Sequence, residues 1–265
     1  MEQYQLKGEE LLYLAAKAGA EQFYGVKDVL IGLPENERRL KIFEVEKNLS
    51  EKKYIQEDFD GNIEIEKKIK KVISVCAFFQ SCLFMEGIED GVQNFCYYFI
   101  KDGEVYSMKQ AEGVYVLESV DGNALKAKVH GIVKKEMAKA EDISEFLISM
   151  KEMERITTLI KHGAGEKGKE QFIEAGADTK IAAAIVDAIE KKADFRSLVF
   201  IEQSEERIPP YHLMFVQSEV LLKVEYRMQD YDDYMCFFAA DTEEIEKCMD
   251  IGLKKLDIQA SEDFV

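Results

Sequence analysis

Apolar residues recur at helical spacing in two stretches near the start of the chain. Over residues 8–18 they lie three or four positions apart, and Gly19 follows as a C-terminal cap. Over residues 66–79 they form one face of an amphipathic segment whose other face carries lysines. Both stretches are therefore predicted to be helices with one buried face.

A further helix and a hairpin are predicted between these two stretches. The helix begins at Pro34, whose fixed φ suits a first turn, and should turn Leu40, Phe43 and Leu49 inward. The hairpin spans residues 54–65 and turns at an Asp-Gly pair, which supplies positive φ at low cost. Two helices and a hairpin resemble a winged-helix element, but the acidic second helix favours a scaffold role over DNA binding.

Beyond residue 93 the apolar positions change from a helical to an alternating period. Aromatic and β-branched residues fill three runs, at residues 94–100, 104–108 and 113–120, which short polar connections separate. These runs predict an antiparallel meander. Residues 123–129 are compatible with either a further strand or a connection.

From about residue 142 the same order begins again. A helix is predicted from there through Phe146, Leu147 and Ile160, followed by a short helical piece near Phe172. The elements predicted after it are an amphipathic helix over 180–192, strands over 197–203, 211–217, 220–227 and 234–239, and a last helix over 242–255.

The two halves of the chain, about residues 1–130 and 142–256, thus repeat helices followed by an antiparallel meander. We predict a single α+β domain over residues 1–265, with a pseudo-twofold relation between the halves. The strands of both halves are expected to join in one central antiparallel sheet. Helices should pack on one face of this sheet and at its ends, which leaves the other face available.

The formal charge of −17 limits the partners of the protein. Nucleic acid is not expected, because phosphate binding relies on releasing counterions to a basic surface. The longest apolar stretches fall well short of the roughly 20 residues that cross a bilayer, so no membrane insertion is expected. The first 14 residues lack the basic and then apolar order of a secretory signal, which favours the cytoplasm.

Side chains that carry chemistry do not cluster along the sequence. The cysteines lie inside apolar runs without a CxxC pair, as buried reduced thiols do: Cys76, Cys82, Cys96, Cys236 and Cys248. His130, His162 and His212 each stand alone, without a second ligand at metal spacing. Because no nucleophile elbow or HExxH helix is present either, we expect no enzymatic activity, no cofactor and no metal.

Two motifs resemble ligand sites but fail in detail. Residues 163–169 read GAGEKGK, which meets part of a phosphate-binding loop, but Glu170 stands where that loop needs a hydroxyl for magnesium. We interpret this stretch as a flexible connection between helices. Residues 230–233 read DYDD, without the glycine and the distant glutamate of an EF-hand loop, so we expect an exposed turn between strands.

The opening of the chain, LKGEELLYLAAKAG at residues 6–19, resembles the first strand and helix of the EspG chaperones of type VII (ESX) secretion. Residues 49–69, followed by aromatic strands, are a second point of similarity. The order of elements extends the resemblance through nearly the whole chain, and divergent proteins of this kind are found in Firmicutes-type loci. The acidic composition, the short loops and the absence of tryptophan depart from the family and bear on the identity of the partner.

The resemblance implies a quasi-symmetric α+β fold and a function without turnover or cofactor. Such a chaperone keeps a helical-hairpin export substrate soluble by covering its apolar end. The implied partner is a substrate of this kind or a small protein of the WXG100 or LXG type. The resemblance leaves open whether the protein also forms a homodimer.

Aromatic residues of the predicted strands are the candidate anchors for this partner, since tyrosine suits an apolar contact with a wet edge. The candidates are Tyr97, Phe99, Tyr106, Tyr115, Tyr226 and Tyr234. The alternative is that these residues belong to the core, because alternate residues of a strand face opposite sides of a sheet.

A second interpretation is an immunity or inhibitor protein, whose acidic surface masks the active site of a basic toxin. Such a complex would dissociate as the ionic strength rises, whereas a chaperone with apolar anchors would show weak salt dependence. An enzyme with a small ligand is a third class, which a pocket lined with convergent polar groups would reveal.

Overall fold

The computed structural model describes residues 3–89, 91–133, 136–140, 143–203, 209–229, 231–256 and 258. In this part of the chain the strands are β1 Gln3–Lys7, β2 Ile55–Glu57, β3 Ile63–Ile65, β4 Ser81–Glu89, β5 Val92–Lys101, β6 Glu104–Ala111, β7 Val114–Val120, β8 Phe146–Ser149, β9 Asp194–Glu202, β10 Tyr211–Gln217, β11 Leu221–Gln229 and β12 Asp232–Ala239. The helices are α1 Gly8–Lys17, α2 Glu35–Glu51, α3 Lys67–Ala77, α4 Gly122–His130, α5 Met150–Lys161, α6 Gly165–Glu174, α7 Thr179–Ile189 and α8 Thr242–Lys254.

Ten of these strands form one antiparallel sheet, in the order β1-β7-β6-β5-β4-β9-β10-β11-β12-β8. From the central β4–β9 pair, three further consecutive strands run outward on each side, β5 to β7 and β10 to β12, and an earlier strand of the chain closes each edge. The predicted α+β class with a central antiparallel sheet is confirmed. The pseudo-twofold relation between residues 1–130 and 142–256 stays a prediction, which this strand order supports.

Helices cover parts of both faces of the sheet, whereas the sequence predicted helices on one face and at the ends with the other face available; that part of the prediction is wrong. The first face, which carries Phe99 and Met214, packs against α1 to α3 toward one end and against α5 to α7 toward the other. The second face, which carries Tyr98 and Leu213, packs against α4 and α8 in its centre. Strands such as β5 and β10 are apolar on both sides, and both faces therefore need cover. Within the described part of the chain, the middle of the first face keeps apolar side chains that no helix buries.

The first strand and helix are joined by a buried carboxylate. Glu10 is fully buried, and its side chain accepts a hydrogen bond of 2.7 Å from the backbone N–H of Lys7 at the start of α1. The Nζ atom of Lys52, just beyond the end of α2, lies 2.7 Å from the same carboxylate. Gly19 follows α1 at a φ of +93°, which confirms the predicted cap.

Helix α2 begins after Pro34 as predicted, but it buries other residues than expected. Leu49 is fully buried, as predicted, and Val45 accompanies it. The prediction is wrong for Leu40 and Phe43, which are 66% and 67% exposed. The buried residues belong to the C-terminal part of the helix, so the apolar residues nearer its start remain in solvent.

Three other segments differ from their predicted structure. Residues 146–149 form strand β8, and α5 begins only at Met150, where the Ser149 hydroxyl accepts from the backbone N–H of Glu152. Residues 123–129, left open by the sequence, belong to helix α4, which Asp121 caps. Strand β4, at the centre of the sheet, has no counterpart among the predicted elements.

Candidate partner-binding surface

The middle of the first face carries a strip of apolar side chains that the described helices leave at least partly exposed. We call it the central strip, and its members are Phe84, Ile88, Phe95, Phe195, Val199 and Tyr226. The strand registers place them on one face, because residues directly opposite in antiparallel strands, and residues two apart along one strand, share a face. None of the six is buried, and Phe95 and Tyr226 are 41% and 55% exposed.

Two helices border the central strip. Helix α3 packs on β5 and β6, and α7 packs on β10. Helix α3 buries an almost continuous apolar face that includes Ile69, Val72 and Ile73, while α7 buries Ile181 and Ile185. Both helices pack their apolar faces on the strands directly beneath them. Neither helix therefore presents a second apolar face to the strands between them.

Tyr97 forms the edge of the strip on the side of α3. Its ring centroid lies 4.7 Å from that of Phe84 and 5.8 Å from that of Phe99, with which it is stacked. Gly25 lies against the same ring, and a Cβ atom added there would come within 2.5 Å of it. Gly25 also has a φ of +77°, so both its backbone and its contact with Tyr97 favour glycine.

Polar groups are few within the strip, and they are hydrogen-bonded. The Oγ atom of Ser197 and the Nε2 atom of His212 are hydrogen-bonded across β9 and β10, and Gln93 Nε2 donates to Glu86 Oε1 at 2.9 Å. Partial burial lowers the pKa of His212. Ser197 itself is buried, which disfavours a role as a nucleophile. These polar groups are therefore paired with one another, and the rest of the strip surface is apolar.

The six aromatic candidates from the sequence do not lie together. Tyr97 and Tyr226 lie at the central strip. Phe99 and Tyr115 are buried beneath α1 to α3, and Tyr106 packs against the same cluster, so the core interpretation applies to them. Tyr234 pairs with Arg227 and lies on the second face.

Most members of the strip were missed from the sequence. Phe84 and Ile88 lie on β4, where they alternate with Met85 and Gly87 of the second face. That alternation was the available signal for a strand, but the preceding apolar helix concealed it. Phe95 lay near the start of the strand predicted over 94–100, and Phe195 lay two residues before the strand predicted over 197–203, which begins at Asp194 in the structure.

The candidate chemical groups have ordinary structural roles. All five cysteines are free and buried, as predicted, and burial raises the pKa of Cys82. The histidines do not stand alone: His130 Nε2 lies 3.3 Å from Asp250 Oδ1, and His162 Nδ1 lies 2.7 Å from the Thr158 carbonyl oxygen. Within the described residues, no group of three or more His, Cys, Asp or Glu side chains could hold a metal ion.

The two motifs that resemble ligand sites also have structural roles. Helix α6 begins at Gly165, so most of the GAGEKGK stretch is helical, and its interpretation as a flexible connection is wrong. Gly168 packs on Ile160, which explains the glycine without a phosphate. In the DYDD stretch Tyr231 is fully exposed at a φ of +67° and Asp232 begins β12, while Asp230 lies outside the described residues.

The fold is EspG-like. A solved structure with this fold is the type VII secretion system chaperone EspG5 of Mycobacterium tuberculosis in complex with the PE25–PPE41 dimer. The match has a TM-score of 0.56 and 11% sequence identity, and it covers 99% of this chain and 99% of the other. No family model and no curated protein matches the sequence. Among the described residues, none of the helices is long and apolar enough to span a bilayer.

Proposed function

We propose that the protein is a non-catalytic adaptor of type VII secretion that binds a helical export substrate through the central strip. The observation that carries this proposal is the uncovered apolar strip between α3 and α7, since exposed apolar patches mark sites of protein interaction. The likeness to EspG5, solved as a complex with a protein dimer, supports a protein partner.

The space between the two bordering helices suits a helical partner. Helix α3 packs on β5 and α7 packs on β10, and these strands are three strand intervals apart, or about 14 Å at the usual strand spacing. A helix with its side chains is about 10 Å wide, so one helix fits on the strip. We favour a helical hairpin with one of its helices on the strip, either of an export substrate or of a small WXG100- or LXG-type protein, and place the function in the cytoplasm.

An inhibitor that neutralises a basic toxin is the second candidate, and the net charge of −17 favours it. The two candidates differ in the forces that hold the complex. Apolar anchors on the strip give an affinity that changes little with ionic strength, whereas an acidic surface gives an affinity that falls steeply as the ionic strength rises.

Assignment to the Firmicutes-type group of EspG-like proteins is likewise part of the proposal.

The test begins with affinity capture from the native cytoplasm and identification of the bound protein by mass spectrometry. The affinity of the purified partner is then measured by calorimetry for three variants, Tyr226→Ala, Tyr234→Ala and Tyr231→Ala. Tyr226 belongs to the strip, Tyr234 lies on the second face, and Tyr231 is a fully exposed turn residue.

We expect Tyr226→Ala to weaken binding about tenfold or more, as for an interface anchor, and the other two to bind like the wild type. Thermal melting of each variant confirms that it is folded. Equal affinities for all three variants would remove the strip from the interface. A strong loss of affinity at high ionic strength would favour the toxin inhibitor.

A further inference from the structure

A cavity of about 530 Å³ lies where β4, β5, β6 and β9 meet the C-terminal end of α4. Its volume is in the range of sites that hold small organic molecules. Apolar side chains from β4, β5 and the turn after α4 line part of it, namely Met85, Cys96 and Ile132. The cavity lies mainly on the second face but adjoins the central strip, because Phe95 of the strip and the neighbouring Glu86 and Gln93 also line it. Its positive charge sets its chemistry apart from that of the strip, so its ligand is inferred independently of the helical partner.

Positive charge is concentrated around this cavity. Lys109, Lys128 and Arg196 all line it, and Glu86 is the one carboxylate among its described lining residues. This local excess is opposite in sign to the net charge of −17 of the whole chain. A small negative ligand would therefore find here a positive site on a protein that repels it elsewhere.

The fold holds each cation in a defined place. Lys128 extends from α4, with its Nζ atom 5.4 Å from the centre of the Tyr98 ring. Arg196 is 8% exposed, and its guanidinium donates a hydrogen bond of 3.2 Å to the carbonyl oxygen of Ile88. Gly87 makes room for it, because a Cβ atom at that position would contact the guanidinium and lie 2.8 Å from the Phe195 carbonyl oxygen.

The two lysines have their charges available for a ligand. Within the part of the chain that the structure describes, neither Lys109 nor Lys128 forms an ion pair. Burial raises the pKa of Cys96 on the cavity floor, and the positive charges of the two lysines act in the opposite direction. Tyr98 also lines the cavity, and its hydroxyl is buried there.

We propose that this cavity binds a small amphipathic organic anion, with a carboxylate or phosphate headgroup and an apolar body. Lys109 and Lys128 hold the headgroup, and Arg196 adds positive charge from beneath. The apolar body lies on Met85, Cys96 and Ile132. The convergent cations favour an anion over a neutral lipid, and the apolar floor favours an organic anion over an inorganic one.

The binding is tested by calorimetry with three probes that separate headgroup from body. Decanoate has both features, inorganic phosphate has only a headgroup, and decyltrimethylammonium has the same chain length with a positive charge. We expect decanoate to bind, phosphate to bind more weakly, and the cation not to bind. No binding of decanoate, or equal binding of decanoate and the cation, would overturn the proposal.

Variants then locate the site. Lys109→Gln and Lys128→Gln should each weaken decanoate binding about tenfold, the effect of losing one charge-assisted hydrogen bond. Lys47→Gln on α2 and Tyr226→Ala on the central strip are the controls and should bind like the wild type. If Tyr226→Ala alone weakens binding, decanoate occupies the strip and the inference fails; if all four variants weaken it equally, the binding is nonspecific and the inference fails as well.

Discussion

The Nε2 atom of His212 lies 2.9 Å from the Oγ atom of Ser197, and this contact connects β10 to β9 at the centre of the first face. The ring of Tyr226 lies 6.0 Å from the imidazole, on the next strand. The three residues therefore form one connected group, in which a change of charge on His212 affects both the sheet and the central strip.

The first prediction concerns the pH dependence of stability. Partial burial lowers the pKa of His212 in the folded protein, so the unfolded chain takes up the proton first as the pH falls. The contribution of His212 to the free energy of unfolding is full above its unfolded pKa of about 6.5 and is lost as the pH falls through the folded pKa.

His212→Gln should remove this part of the pH dependence. Urea denaturation of both proteins between about pH 5 and pH 8 should give a difference in the free energy of unfolding that shrinks on acidification. The idea fails if the two proteins lose stability in parallel.

The second prediction concerns the buried carboxylate of Glu10. Lys52→Met leaves this carboxylate with the backbone N–H of Lys7 but without its cation. Because Lys52 is partly exposed, we expect a loss of about 2 kcal/mol, less than for a fully buried pair. Urea denaturation measures it, with Lys47→Met on α2 as the control that should change stability by less than about 0.5 kcal/mol.

The double variant Glu10→Gln/Lys52→Met separates charge from packing. With the carboxylate replaced by a neutral amide, no buried charge remains unpaired, and part of the lost stability should return. If the double variant loses more free energy of unfolding than the two single variants added together, the pair is not coupled through charge.

The third prediction concerns the contact between α8 and β9. A Cβ atom at Gly252 would lie 2.5 Å from the ring of Phe200, which is itself buried. Gly252→Ala should therefore destabilise the protein by about 1–3 kcal/mol, although alanine favours helices. Adding Phe200→Leu makes room for the methyl group, so the double variant should lose less stability than the two single changes added together. Ile251→Ala, on the exposed side of α8, is the matched control.

The fourth prediction concerns the two sides of α2. Leu40→Ser and Phe43→Ser remove exposed side chains and should change the free energy of unfolding by less than about 0.5 kcal/mol. Leu49→Ala removes a fully buried one and should cost about 2–5 kcal/mol. A large loss from Phe43→Ser would mean that this side chain is packed in solution.

The alternation and spacing of apolar residues were enough to predict most elements of the sheet. Strand β10 begins and ends at the predicted residues, and helix α8 matches the prediction to within one residue. These elements have a clear period and clear caps, such as Asp241 before α8. Strand β4 and strand β8 were missed because each directly adjoins a helix with apolar residues, and no glycine or proline marks the change of period.

The candidate surface was less predictable than the fold. Local pattern shows which residues of a strand share a face, but the position of the helices decides whether that face is covered. Phe99 and Tyr226 look alike in sequence, yet one lies beneath α3 and the other lies outside the reach of α7. The cavity near Lys109 joins four strands and one helix, so no local signal could have predicted it.

The order of strands also constrains how the protein is made. Leu6 of β1 lies opposite Tyr115 of β7, more than 100 residues later, so a nascent chain completes its first edge only when β7 has emerged from the ribosome. Until β9 is synthesised, β4 presents an open row of backbone donors and acceptors. Translation therefore passes through a stage with one finished outer edge and one temporary inner edge, and a pause before β9 would prolong exposure of the strand most able to pair with another chain.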